Sequence, residues 1–346
     1  MKRILLLIGP VLILAVSLMT FGCAKAPPAE LPKTVVISSM PAGMMTHAQA
    51  AGIAALISEK TSIQCKHVPL TSEAAFIPMM LTGEVDLGSS NIVEIWMAYM
   101  GLPPYDALAK QNNVKSFPVR LIARGDPLIA SLFVAGDSGI LSVKDLKGRT
   151  VANFEAGQPG VHLMNVALLA NAGMTYADVK PMPFPSAGVA PKAVIEGRCD
   201  ASICGIDAPA AKEATAAIKA RWLPLDPSPE AVKRLQTANF PGFYLVKGQT
   251  RPGMDLPEYL MAWDNCLSVS EGLPDNAAYE IAKALWVYNA DLTAKTLLGK
   301  WTTDTFVSPL AAVPYHDGAI KFYKEVGAWT KEMETHQKEL LAEQPK

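Results

Sequence analysis

Apolar and polar positions along this chain follow two periods, one of strand type and one of helix type. Thr34-Val35-Val36-Ile37-Ser38 is a continuous apolar run of strand length, and Thr46 to Lys60 carries Ile53, Leu56 and Ile57 at helical spacing. Cys65 to Leu70 predicts a second strand, Ser72 to Leu81 a short helix broken at Pro78, and Val85-Asp86-Leu87-Gly88 a third strand leading into Ser89-Ser90-Asn91. The order then returns. Thr150 to Phe154 reads as a strand, Glu155 to Gly160 as a loop, and Val161 to Asn171 as a helix with Gly173 just past its end, where a C-terminal cap belongs. Val179 to Phe184, Ala190 to Glu196 and Cys199 to Cys204 predict strand, helix and strand, running into Gly205-Ile206-Asp207.

The two blocks also share a local phrase, Leu81 to Gly88 against Ile195 to Ser202. In each, a short helix ends at Gly and an Asp sits inside the next strand. Repeated strand-helix order predicts two α/β lobes of similar build with mixed, mostly parallel sheets. Parallel sheets place binding sites at the carboxyl ends of their strands. Ser38 to Met45, Ser89 to Asn91, Glu155 to Gly160 and Gly205 to Asp207 would then face one cleft. Each lobe's first loop feeds a helix N-terminus, whose free amides suit a carboxylate without help from Lys or Arg. The alternative is that Gly43, Gly157 and Gly160 only permit tight turns.

Length agrees with this division, because 346 residues exceed what a single core usually supports. With 50% apolar and 18% charged side chains and a net charge of -1, the chain is neither disordered nor built to coat nucleic acid. Lys2 and Arg3 precede an uncharged apolar run from Ile4 to about Phe21, the order of a secretory signal peptide over residues 1–22. Cys23 follows Gly22 as at a bacterial lipoprotein junction, which predicts lipidation of Cys23 and a membrane anchor through it. Residues 23–32 then form a Pro/Ala tether. Removing residues 1–22 leaves about three net negative charges. Cys199 and Cys204, at an odd offset on one strand, point to opposite faces and cannot pair locally.

Catalytic signatures are weak. Gly136-Asp137-Ser138-Gly139 spells most of the sequence around a serine protease nucleophile, but its flanks are α/β, where Ser and Gly serve as turn residues. No Walker loop, nucleophile elbow, His-Glu-x-x-His pair or EF-hand loop occurs, and no metal or cofactor is expected. His47 and His162 each fall in the first helical turn after a cleft loop, where they would donate to a ligand or simply be solvated. The 15 methionines read as core filler.

Asp137 to Val151, Leu168 to Val179 and above all Val313-Pro314-Tyr315-His316-Asp317-Gly318-Ala319-Ile320 resemble TAXI-type solute-binding proteins of TRAP transporters. That resemblance implies a two-lobed periplasmic binding protein of type II, or Venus flytrap, fold. Lobe I would span 33–127 and 244–346, and lobe II 128–243. It implies capture of a small organic acid or amino acid, delivery to an ion-driven TRAP permease, a monomer outside the cytoplasm, and no enzymatic activity. The ligand-binding residues expected are Ser39, Gly43, Thr46, His47, Asn91, Gln158, Gly160, His162 and Asp207. The position of Asp207 before Pro209 equally suits a helix cap. Departures lie in the first loop, Met40 to His47, which lacks the family's tyrosines, and at Ile92 and Val93, which replace a polar pair. With neither Arg nor Lys in the first loops, a monocarboxylate fits better than a tricarboxylate. Two alternatives are a binding protein serving an ABC importer or a sensor, and an exported hydrolase using His162 with Glu155 or Asp207.

Overall fold

Two long strands, of 16 and 12 residues, organise the described chain. The computed structural model describes residues 30–345 except 43, 157, 238, 239, 249, 250, 252, 296, 297, 299 and 300. Residues 1–22, expected to be a signal peptide, Cys23 and Gly43 therefore lie outside the described residues. The strands are β1 (Thr34–Ser39), β2 (Gln64–Pro69), β3 (Leu87–Asn91), β4 (Val119–Val134), β5 (Thr150–Asn153), β6 (Lys180–Pro183), β7 (Ser202–Gly205), β8 (Arg221–Trp222), β9 (Tyr244–Lys247) and β10 (Tyr259–Ser270). The helices up to β8 are α1 (Met45–Lys60), α2 (Glu73–Thr82), α3 (Ile92–Met100), α4 (Tyr105–Gln111), α5 (Pro159–Asn171), α6 (Ala190–Ile195) and α7 (Pro209–Ile218). After it come α8 (Pro229–Thr237), α9 (Asp275–Val287), α10 (Asn289–Thr293), α11 (Asp317–Glu325) and α12 (Lys331–Glu343).

One sheet runs β2-β1-β3-β10-β4-β7, with β8 on β4 and β9 on β10. β1 pairs parallel with β2 and β3, whereas β10 and β4 join their neighbours antiparallel. The first half of β4 belongs with β3 and β10, and its last residues, Ala130 to Val134, pair with β7 and β8. A second, parallel pair, β5-β6, is tied to the chain before β7 by a bridge between Val151 and Ala201. The α/β, two-lobed build expected of the chain is the one observed, with the mixed sheet continuous through β4 and β10.

The shared phrase of the two blocks has one structural meaning. Asp86 donates its N–H to the Val36 carbonyl and accepts the Val36 N–H on its carboxylate at 2.8 Å. Asp200 does the same to Thr150, with the carboxylate accepting the Thr150 N–H at 2.7 Å. Each Asp thus clasps its block's first strand, and the glycines before them, Gly83 and Gly197, turn with φ near +77 and +69. The helix over Ser72 to Leu81 does not break at Pro78, because a single missing N–H removes one bond from a helix otherwise packed through Phe76, Ile77 and Met80.

The C-terminal motif stitches the last helices onto β4. Leu121 donates to the Pro314 carbonyl, His316 donates back to Leu121, and the His316 ring caps α11 by accepting the Gly318 N–H at 3.2 Å. Gly318 lies so close to α9 that a Cβ there would sit 2.0 Å from the Asp275 carbonyl oxygen. Ser138, in the protease-like phrase, donates to the Ala135 carbonyl at 2.6 Å and so closes a turn.

Candidate functional site

Where β4 and β10 cross, their pairing is irregular. Gly125 packs flat under the Trp301 ring, which a Cβ would approach within 2.0 Å. Pro127 stands opposite Asp264 and Arg124 opposite Cys266, so Gly125 and Asp126 together oppose Asn265 and the bulge lies on β4. Alternation along β10 puts Trp263 and Asn265 on one face and Asp264 on the other. Asp264 there meets the Arg124 guanidinium and accepts from Tyr244 Oη at 2.7 Å. Arg124 is spent on this pair inside the strand crossing.

On the Trp263 and Asn265 side lies a cavity of about 240 Å³, room for roughly eight waters at ~30 Å³ each. The β1-α1 loop and the start of α1 supply Met40, Met44, Met45 and Thr46 to its wall, and Asn91 ends β3 beside it. Opposite stand Gln158, Val161 and Met164 of the loop before α5 and of α5 itself, with Ala187 and Gly188 from the loop after β6. Leu128, Glu73 and Glu94 complete it. Four methionines thus wall the cavity, whereas composition alone had cast them as filler. Their unbranched thioethers line an apolar, adaptable surface.

The expected ligand residues divide. Thr46, Asn91 and Gln158 are in the wall, although Asn91 Oδ1 also accepts the Glu94 N–H at 3.2 Å and Gln158 Oε1 the Ala187 N–H at 2.7 Å. Ser39 is fully buried and bonds His67 Nε2 at 2.8 Å and the Met40 carbonyl. His47 lies against His67, with ring centroids 4.7 Å apart and planes tilted by 56°. His162 is held by Asn153 Oδ1 at 2.8 Å and lies flat on Tyr176; burial keeps its pKa below the ordinary histidine value. Asp207 pairs with Arg251 at 3.3 Å in an exposed position away from the wall. Gly160 matters through its backbone, whose N–H is accepted by the Glu94 carboxylate. Ile92 and Val93, the apolar replacements, are buried in the core.

Glu73 and Glu94 are the residues that local pattern did not reveal. Glu94 is the sole charge of α3, Ile92–Met100, and that isolation inside an apolar helix is its sequence signal. Its Oε2 accepts from Tyr105 Oη at 2.8 Å. Burial raises the Glu94 pKa, against which the Tyr105 and Gly160 donors pull. Glu73 opens α2; burial, with Glu94 next in effect, pushes its carboxyl up to about 8. Tyr105 of α4 and Cys266 of β10 are the other titratable groups that feel Glu73, and burial raises both. Among the described residues no group of three His, Cys, Asp or Glu is placed to hold a metal ion.

Comparison with known proteins places this geometry. The pattern of the NMT1-like family matches residues 41–327, most of the chain and every element of the cavity wall except Met40. The chain belongs to the NMT1-like family. Among solved structures, the NMT1-like chain is similar to PhnD1 from Prochlorococcus marinus in complex with methylphosphonate, at 11% identity, 86% of this chain, 100% of that one, and TM-score 0.53. It is also similar to the periplasmic sulfonate-binding protein SsuA from Methylobacillus flagellatus KT, at 14% identity, 87% and 96% coverage, and TM-score 0.52. A TctC solute-binding protein from Polaromonas matches at 14% identity, 90% and 94% coverage, and TM-score 0.50. At these identities the likeness is one of fold, and the fold of the NMT1-like chain is that of periplasmic solute-binding proteins.

Proposed function

We propose that the protein is an extracytoplasmic solute-binding protein. It captures a small organic acid or amino acid in the interlobe cleft and hands it to an ion-driven permease of the TRAP type. The observation that carries this reading is the cavity of about 240 Å³ walled by loops from both halves of the chain, at the ends of β1, β3, β5 and β6. In this reading residues 33–127 and 244–346 form lobe I, 128–243 form lobe II, residues 1–22 are cleaved, and Cys23 carries the lipid anchor. Closure bends β4 and β10 near their irregular crossing and brings the α5 side onto the solute. Thr46, Asn91 and Gln158 touch the solute, and Gly160 acts through its amide. Binding without chemistry is favoured because His162, the base that an exported hydrolase was expected to use, is engaged by Asn153 and Tyr176.

Thermal unfolding of the purified protein against a panel of amino acids, amines, 2-oxo acids and mono- and dicarboxylates tests this. A solute at a hundredfold excess over its Kd stabilises by about 2.7 kcal/mol, or several degrees. A shift with the solute recovered unchanged supports a receptor; a chemically altered solute makes the protein an enzyme instead. The TRAP partner rests on the resemblance of Val313 to Ile320, and reconstituted uptake driven by an ion gradient, rather than by ATP, is its test.

A further inference from the structure

We infer that the cleft selects a solute bearing a protonated amino group on a small apolar body, and that Glu73 and Glu94 receive that group. The inference rests on the receptor reading above and narrows its solute class. A helix N-terminus is where a bound anion belongs, and in the second lobe that place at the start of α5 is already filled: Glu94 accepts the Gly160 N–H there. A solute carboxylate at that point would have to evict a carboxylate of the protein itself. No Lys or Arg stands in the wall among the described residues to compensate it.

The acceptors, by contrast, are in surplus. A carboxylate offers about four lone-pair sites, and Glu94 uses two, on Gly160 and Tyr105. Glu73 adds a second carboxyl group in the same wall. Independent of this acid pair, three polar atoms of the wall are buried without a partner: Asn265 Oδ1, Thr46 Oγ1 and Trp263 Nε1. Their residues are 0%, 8% and 6% exposed. Buried polar atoms in a native protein are normally satisfied, and three unpartnered ones on residues of a single wall mark it as a place where a ligand could supply the missing partners. Asn265 and Glu94 accept, and Glu73 accepts once the ammonium has displaced the proton that burial keeps on it; an ammonium with three N–H donors answers all three, and Trp263 donates, which suits a hydroxyl or carbonyl elsewhere on the solute. Met40, Met45, Leu128, Val161 and Met164 leave the rest of the space to hydrocarbon.

Isothermal titration with matched pairs tests the inference: butylamine against butyrate, 3-methylbutylamine against 3-methylbutyrate, and L-leucine against 4-methyl-2-oxopentanoate. The amine of at least one pair binds, and its acid isostere does not. Glu73→Gln and Glu94→Gln, each checked for folding by circular dichroism, weaken the amine by about 10- to 100-fold, the worth of a hydrogen bond between charged groups. Binding confined to the acids, unchanged or tightened in Glu94→Gln, overturns the amine class and leaves the receptor intact. Amine binding that neither variant weakens overturns the role of the acid pair. If neither series binds, the amine class falls, and the wider panel of the previous experiment tells whether the receptor reading falls with it.

Discussion

Replacing Glu73 by Gln probes the acid pair without changing side-chain size, and its effect has a calculable pH dependence. Burial and the nearby Glu94 push the folded-state carboxyl up to about 8, from an ordinary value of 4.5. Between those values the folded protein keeps a proton that the unfolded chain has released. Stability therefore falls as pH rises through the window, with a slope approaching ~1.4 kcal/mol per pH unit. His67, His162 and His316 act in the opposite direction, since burial holds each below the ordinary 6.5 and stability grows as pH rises toward that value. The wild-type profile is thus a composite. The difference between wild type and Glu73→Gln cancels the histidines and leaves the acid pair, Glu73 together with its effect on Glu94. Measured by urea unfolding in steps from about pH 5 to about pH 8, the variant gains on the wild type throughout, reaching ~1–3 kcal/mol once relaxation around the pair is allowed for. A difference that stays flat over this range means that Glu73 ionises as it would in water, and refutes the reasoning.

Three further outcomes are expected. Gly160→Ala puts a Cβ 2.2 Å from Glu94 Oε1, so the glutamate swings away and the α3-α5 contact loosens; small-angle scattering of the free protein shows a larger radius of gyration. Gly125→Ala drives a methyl group into the buried Trp301 ring and lowers unfolding free energy by ~1–3 kcal/mol, read by urea titration. Asp200→Ala removes the clasp on Thr150 at a cost of ~1.5–3 kcal/mol, and amide exchange at Thr150 accelerates while that at Val36, held by Asp86, does not.

How far the chain could be read in advance follows from the range of the interactions involved. β1, β2, α1 and α5 were legible because apolar spacing reports which face of an element is buried. The phrase carrying Asp86 and Asp200 was legible as a repeat, though not as a clasp, since its partner lies 50 residues away in each case. Ser39 and His162 were correctly placed at loop ends, yet their polar atoms are used by His67 and Asn153 of the same lobe. Nothing local announces such a use.

The sequence by itself determined the order of elements, the two-lobed α/β build and three of the four loops expected to face a cleft, those carrying Met40, Asn91 and Gln158, while the fourth, Gly205 to Asp207, does not line the cavity. Only the tertiary structure decided the chemistry inside it. Glu73, Glu94, Gly160, Trp263 and Asn265 come from α2, α3, α5 and β10, and their meeting depends on the pairing of two long strands and on the bulge of β4 opposite Asn265. Periodicity tells a residue which way to face; it carries no information about which distant residue will be there, and for a buried carboxylate that neighbour settles both its charge and the solute it can hold.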